Sequence, residues 1–203
     1  MYIGIDTSCY TTSVATVDDS GIVLDERIML YVEKGGKGLR QSDAVFLHVR
    51  NLPIIMDKCK LSGAKGISVA AYPRNVEHSY MPVFLPGVCA AKTLQSVLQC
   101  KYSEFSHQQG HIMAGLYSAD VMHWIGKPFL ALHISGGTTE MLLVKGDKLE
   151  DITIVGKTLD ISAGQLIDRV GVKLGLRFPC GKELEQLAQN KEKAITLPIS
   201  VKG

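Results

Sequence analysis

Apolar positions along this chain fall into two rhythms, and one arrangement of them occurs twice. Residues 2–17 (YIGIDTSCYTTSVATV) and 129–144 (FLALHISGGTTEMLLV) superimpose without a gap, 127 positions apart. Each is an apolar strand, a turn rich in Ser, Thr or Gly, and a second apolar strand. Ser8, Thr11 and Thr12 fall on Ser135, Thr138 and Thr139. Acidic or Gly-containing turns follow both copies (DDSG at 18–21, KGDK at 145–148), and each leads into a third strand. Two copies of one hairpin predict a duplicated domain with a cleft between its halves and both turns facing it. Ser/Thr hydroxyls and free backbone N–H groups in such turns suit phosphate oxygens.

Between the copies the pattern predicts strands over 2–8, 11–18 and 21–29, a Gly-rich turn (EKGGKG, 33–38), then a helix over 42–60. Ser42 could cap that helix, and Val45, Val49, Leu52 and Met56 recur at helical spacing on one face. Pro53 lies inside it and predicts a kink or a split. A buried strand follows at 66–73, then a helix at 87–99, a short strand at 100–105, a helix at 107–122, and a boundary at Gly126-Lys127-Pro128. The first half thus reads as three antiparallel strands followed by αβαβα.

The second half begins the same way, with three strands to about 155, but continues as helices at 160–175 and 181–191. The last stretch, AITLPISVKG, shows no core role. A three-stranded sheet covered by two helices is thin, and its strand edge needs cover. The expectation is a first domain at 1–126 and an incomplete second domain at 127–203 with a helical insertion: a cut piece, a natural fragment or half of an assembly. Cover for the edge would then come from a partner or a second copy.

Composition narrows the class. The net charge of +2, with Lys and Arg scattered, builds in no strong field for nucleic acid or membrane. The start, MYIGIDTS, has no basic n-region or long apolar run, so neither a signal peptide nor a membrane span is expected. Five cysteines without a CxxC pair favour reduced thiols and a cytoplasmic location over disulfides or a Cys-based zinc site.

Three places carry candidate chemistry. His107 and His111, in HQQGH, are four apart, so both rings leave one helical face a turn apart. That suits two metal ligands, though a site needs a third; the plain alternative is two polar residues at a helix start. Ser135-Gly136-Gly137-Thr138-Thr139 is either a ligand-approaching turn or an ordinary Gly-Gly hairpin. Asp6 closes the first strand and either holds a metal-bound water or caps the turn. Asp160 reads as an N-cap, Asp168, two turns along, as half of a solvated ion pair with Arg169, and Pro179-Cys180-Gly181 opens a helix whose N-terminus suits a hydroxyl or an anion.

Taken in order, GIDTSCYTT, HQQGH, ISGGTT, GKTLDISAGQLIDRVGVKLGL and FPCG resemble the tRNA threonylcarbamoyladenosine transferase family (TsaD), long labelled a glycoprotease. The resemblance covers most of the chain and implies the actin/hexokinase/sugar-kinase superfamily: an α/β fold of two tandem ribonuclease-H-like domains, the second incomplete here. It implies that His107 and His111 are two ligands of a divalent metal (iron or zinc). It implies a substrate turn at Ile134, Ser135, Gly136, Gly137 and Thr138, and nucleotide contacts at Asp168 and Gly181. The implied ligands are ATP/ADP or threonylcarbamoyl-adenylate. The implied reaction transfers the threonylcarbamoyl group to tRNA, and the implied partners are tRNA and a smaller homologous (TsaB-like) subunit or a second copy, meeting helices 42–60 and 87–99.

This chain departs from the family pattern at charged positions. Tyr10 and Thr11 replace two acids, Thr138 a His, Ile161 the second of two Asp, Gln165 a Glu, and Cys180 a Gly. Pro73-Arg74-Asn75 stands where the family has Gly-Pro-Gly, and the third metal ligand has no counterpart here. The alternative reading is therefore a non-catalytic paralogue that binds a nucleotide or a partner. A metallopeptidase is the weakest reading, because HQQGH lacks the Glu base of helical zinc proteases.

Overall fold

The computed structural model describes residues 1–33, 38–147 and 149–189. The repeated hairpin forms twice. Strands β1 (Tyr2–Asp6) and β2 (Thr11–Asp18) pair antiparallel with Tyr2 opposite Val17. Strands β6 (Phe129–Ile134) and β7 (Thr139–Lys145) pair antiparallel with Phe129 opposite Val144. Each pair of partners is displaced by the same 127 positions, so the repeat holds in register as well as in sequence. Any one-residue slip would turn Ile3, Ile5 and Val14 out of the core.

In the first half, β3 (Gly21–Met29) adds antiparallel to β2, while β4 (Gly66–Tyr72) and β5 (Lys101–Ser106) run parallel to β1. The sheet order is β3-β2-β1-β4-β5. The parallel strands are connected through helices α1 (Gln41–Met56) and α2 (Leu85–Leu98), as parallel pairing requires. One core joins Ile3, Ile5, Val14, Ile67 and Val69 of the sheet to Leu52 and Ile55 of α1 and Ala91 of α2.

Helix α1 departs from the expected one. It starts at Gln41, so Ser42 lies inside it and caps nothing, and it runs unbroken through Pro53. Its buried stripe is Ala44, His48, Leu52 and Ile55, whereas Val49 is exposed. The His48 ring is fully buried, and its Nδ1 meets the Thr12 hydroxyl at 2.8 Å. A hydrogen bond removes most of the cost of burying that nitrogen.

Helix α3 (His107–Ser118) follows β5 directly, its N-terminus closed by a capping box between Ser106 and Gln109. The second sheet, β6-β7-β8 with β8 at Asp151–Lys157, packs against this helix. Ile112 and Leu116 share a core with Leu142, Val144 and Leu149. This corrects the expected cover by the two later helices. Helices α4 (Ala163–Lys173) and α5 (Gly181–Gln189) instead pack mainly on each other. The opposite sheet face exposes Leu130, Leu132, Ile134, Met141 and Val155. Among the described residues neither β6 nor β8 has a strand on its outer edge.

Among the described residues no helix is long and apolar enough to cross a membrane. All five cysteines are free thiols. Most of the expected turn at 33–38, Lys148 of the KGDK turn, the last residues of the expected helix 181–191 and the AITLPISVKG stretch lie outside the described residues.

Candidate functional site

Both repeated turns sit at the C-terminal ends of β1 and β6, but their hydroxyls are engaged differently. In the first turn Ser8 N–H donates to Asp6 Oδ1 at 2.6 Å, and Cys9 takes a left-handed φ of 46°. Thr12 turns into the protein interior. It is fully buried against His48, and Asn51 donates to its Oγ1 at 3.2 Å. In the second turn the amides of Gly137 and Thr138 donate to Ser135 Oγ at 3.2 and 3.0 Å. The turn is therefore held in shape by its own serine.

Helix α4 locks onto that turn. Its N-cap Ser162 donates to Gly136 O at 2.8 Å, and Ala163 N–H donates to Thr139 Oγ1 at 2.8 Å. A Cβ on Gly164 would lie within van der Waals overlap of the Ser135 carbonyl. Only glycine permits this approach of helix to turn. Asp168 follows about a turn along α4. Its Oδ1 accepts the Cys180 N–H at 2.8 Å, and its Oδ2 lies 3.7 Å from the Cβ position of Gly136. Cys180 is fully buried against Gly171, where any side chain would collide with it. Thus Ser135–Thr138, Asp168 and the residue before Gly181 share one wall, although they are separate in sequence. Ile134, at the end of β6, is exposed on the sheet's outer face.

The histidine pair forms, with a different outcome. The helical spacing brings His111 Nε2 to 2.8 Å from His107 Nε2. Behind the pair, His107 Nδ1 meets Asp6 Oδ2 at 2.7 Å, and Ser8 Oγ lies 3.4 Å from His107 Nε2. Burial alone would raise the Asp6 carboxyl, but the His107 and Ser8 hydrogen bonds outweigh it and hold the group below the usual range. Desolvation, then the neighbouring His107 and His133 rings, push His111 down to about 4. A neutral His111 donating Nε2–H to His107, which in turn donates Nδ1–H to Asp6, satisfies the whole chain.

A metal does not fit these residues. Two imidazole nitrogens converge, Asp6 is engaged on the far side of His107, and no group of three His, Cys, Asp or Glu able to hold an ion exists among the described residues. A metal needs at least a third protein ligand at such a centre. This overturns the expected iron or zinc cofactor at His107 and His111, and the peptidase reading loses its ion with it.

A second polar cluster, unnoticed in the sequence, joins the halves. Arg74 Nη1 donates to Glu140 Oε1 at 2.8 Å, and Gln108 Nε2 donates to Glu140 Oε2 at 3.2 Å. Glu140 is only 4% exposed. Gln109 Nε2 donates to Leu149 O and Asn75 Nδ2 to Glu150 O. Glu140 occupies an inward position of β7 shared with Leu142 and Val144, and a charge in that alternation was the available signal.

The profile of the family described as "TsaD: tRNA N6-adenosine threonylcarbamoyltransferase" matches residues 81–203. The tRNA N6-adenosine threonylcarbamoyltransferase of Sulfurihydrogenibium sp. (strain YO3AOP1) is 32% identical over 198 residues, which cover 97% of this chain. The chain belongs to this family. A Thermus thermophilus member is 31% identical over 99% of this chain, and that of Methanopyrus kandleri 28% identical over 99%. The chain spans 57%, 61% and 57% of the lengths of these three relatives.

Among solved structures, the ROK family protein from Streptococcus pneumoniae TIGR4 in complex with sucrose aligns with a TM-score of 0.51 at 13% identity, covering 93% of this chain and 67% of that one. The PilM-PilN type IV pilus biogenesis complex aligns at 0.50 and 11% identity, covering 92% and 69%. These likenesses concern fold alone: an open α/β sheet. At 28–32% identity to these relatives the chain is a divergent member.

Proposed function

We propose that this chain is a non-catalytic member of the threonylcarbamoyltransferase family that binds an adenine nucleotide in the wall formed by Ser135–Thr138, Asp168 and Gly181. The observation that carries the reading is the position of Asp168. One carboxylate oxygen is anchored by the Cys180 N–H, and the other is directed toward the glycine turn. An anchored carboxylate beside a shaped glycine turn suits a ligand offering hydroxyl donors, as a ribose does. The absence of transfer is supported by the internally bonded Asp6–His107–His111 chain.

In the same reading, residues 1–126 form one ribonuclease-H-like unit and 127–203 begin a second. The identical register of the two hairpins supports that division. Partners of the family's kind, tRNA or a smaller homologous subunit, belong to this proposal as well.

Calorimetry with ADP is the test. Saturable binding is expected, weakened at least about tenfold in Asp168→Ala, in line with loss of a charge-assisted hydrogen bond. A folded wild-type protein that binds no ADP overturns the nucleotide reading. Restoration of threonylcarbamoyladenosine in tRNA by this chain, in cells lacking the transferase, overturns the non-catalytic one.

A further inference from the structure

Two half-buried rings meet across the halves. Tyr10, in the first turn, and Phe178, between α4 and α5, lie with ring centroids 5.0 Å apart and planes at 73°, an edge-to-face contact. Tyr10 is held from two sides. Its main chain is pinned because its carbonyl accepts the Leu30 N–H at 2.8 Å. Its hydroxyl lies against Gly38, where a Cβ would sit 2.5 Å away. Phe178 is two residues before Cys180, whose amide holds Asp168. The ring contact therefore ties the first turn to the strap that carries the Asp168 anchor.

The other bridges between the halves run elsewhere. Arg74, Asn75, Gln108 and Gln109 reach β7 or the turn after it. Among the described residues no hydrogen bond from the first half reaches 160–189, so the polar joint and the ring contact are separate connections.

We propose that Tyr10 and Phe178 form an aromatic clasp that closes the mouth of the Asp168 wall, and that a ligand enters by parting the rings. The gating half of this statement rests on the nucleotide reading above; the clasp itself does not. Parting it leaves the polar joint intact, so the strap between α4 and α5 moves while β7 stays docked.

Hydrogen exchange on the full chain without ligand tests the clasp. Amides in 174–182 should exchange roughly twofold to tenfold faster in Tyr10→Ala and in Phe178→Ala, the range an aromatic pair of this geometry supplies. Tyr10→Phe should match wild type. Equal protection in wild type and the folded alanine variants overturns the clasp, as does a Tyr10→Phe variant that accelerates exchange as much as Tyr10→Ala. Having one alanine substitution on each side of the contact keeps the test open if either fails to fold. Stopped-flow mixing with ADP tests the gate: association should be faster in Tyr10→Ala, and a rate at or below wild type overturns it. If neither protein binds ADP, the nucleotide reading and the gate both fail, and the exchange data alone decide the clasp.

Discussion

Removing Arg74 should expose how strongly the two halves are held together. Glu140 is 4% exposed and has two described partners, the Arg74 guanidinium and the Gln108 amide. Arg74→Ala leaves a buried carboxylate with one neutral donor. Breaking a buried ion pair costs about 3–5 kcal/mol when the remaining charge is sealed off. The Arg74 side chain is 38% exposed, so its removal admits water, and the loss falls closer to that of a charge-assisted hydrogen bond, about 1.5–3 kcal/mol. We expect about 2 kcal/mol from urea denaturation at pH 7, with the change in midpoint rather than slope. The double variant Arg74→Ala/Glu140→Gln should recover part of this, because it removes the charge left unpaired. A loss under about 0.5 kcal/mol in Arg74→Ala, or a double variant less stable than Arg74→Ala, would refute the reasoning.

Two further outcomes follow from close packing and from burial. Gly164→Ala should destabilise by about 1–3 kcal/mol or displace α4 from the 135–138 turn, since its Cβ collides with rigid backbone; thermal melting near wild type with an unchanged ADP affinity would contradict this. Stability should also fall as pH drops from about 6.5 toward 4. His48, His111 and His133 all have lowered folded values, caused first by burial, so their contribution is complete above the unfolded histidine value and is lost as the unfolded chain takes up protons more readily. The Asp6 contribution, also from a lowered value, disappears only below the ordinary carboxylate range. Urea midpoints that are flat from pH 7 to pH 4.5 would count against the buried histidines.

The repeated hairpin was legible in the chain because strand periodicity and turn chemistry are local. Residues 2–17 and 129–144 carry both, and the structure keeps their common register. The order of elements was equally legible, as was the pairing of His107 with His111, which helical spacing alone dictates. The motif set also identified the family without any knowledge of contacts.

What surrounds each of these features depended on residues distant in sequence. His48 is inside because Thr12, on another strand, receives it. The second sheet is covered by α3, a helix of the first half, because Ile112 and Leu116 face Leu142 and Val144. The histidine pair lacks a metal centre among the described residues because Asp6 binds its far side and no third group converges. Tyr10 reads as a lost acid in one dimension and as a ring contact with Phe178 in three. Periodicity determines which face a residue takes along its own element. Only packing between elements determines what that face meets.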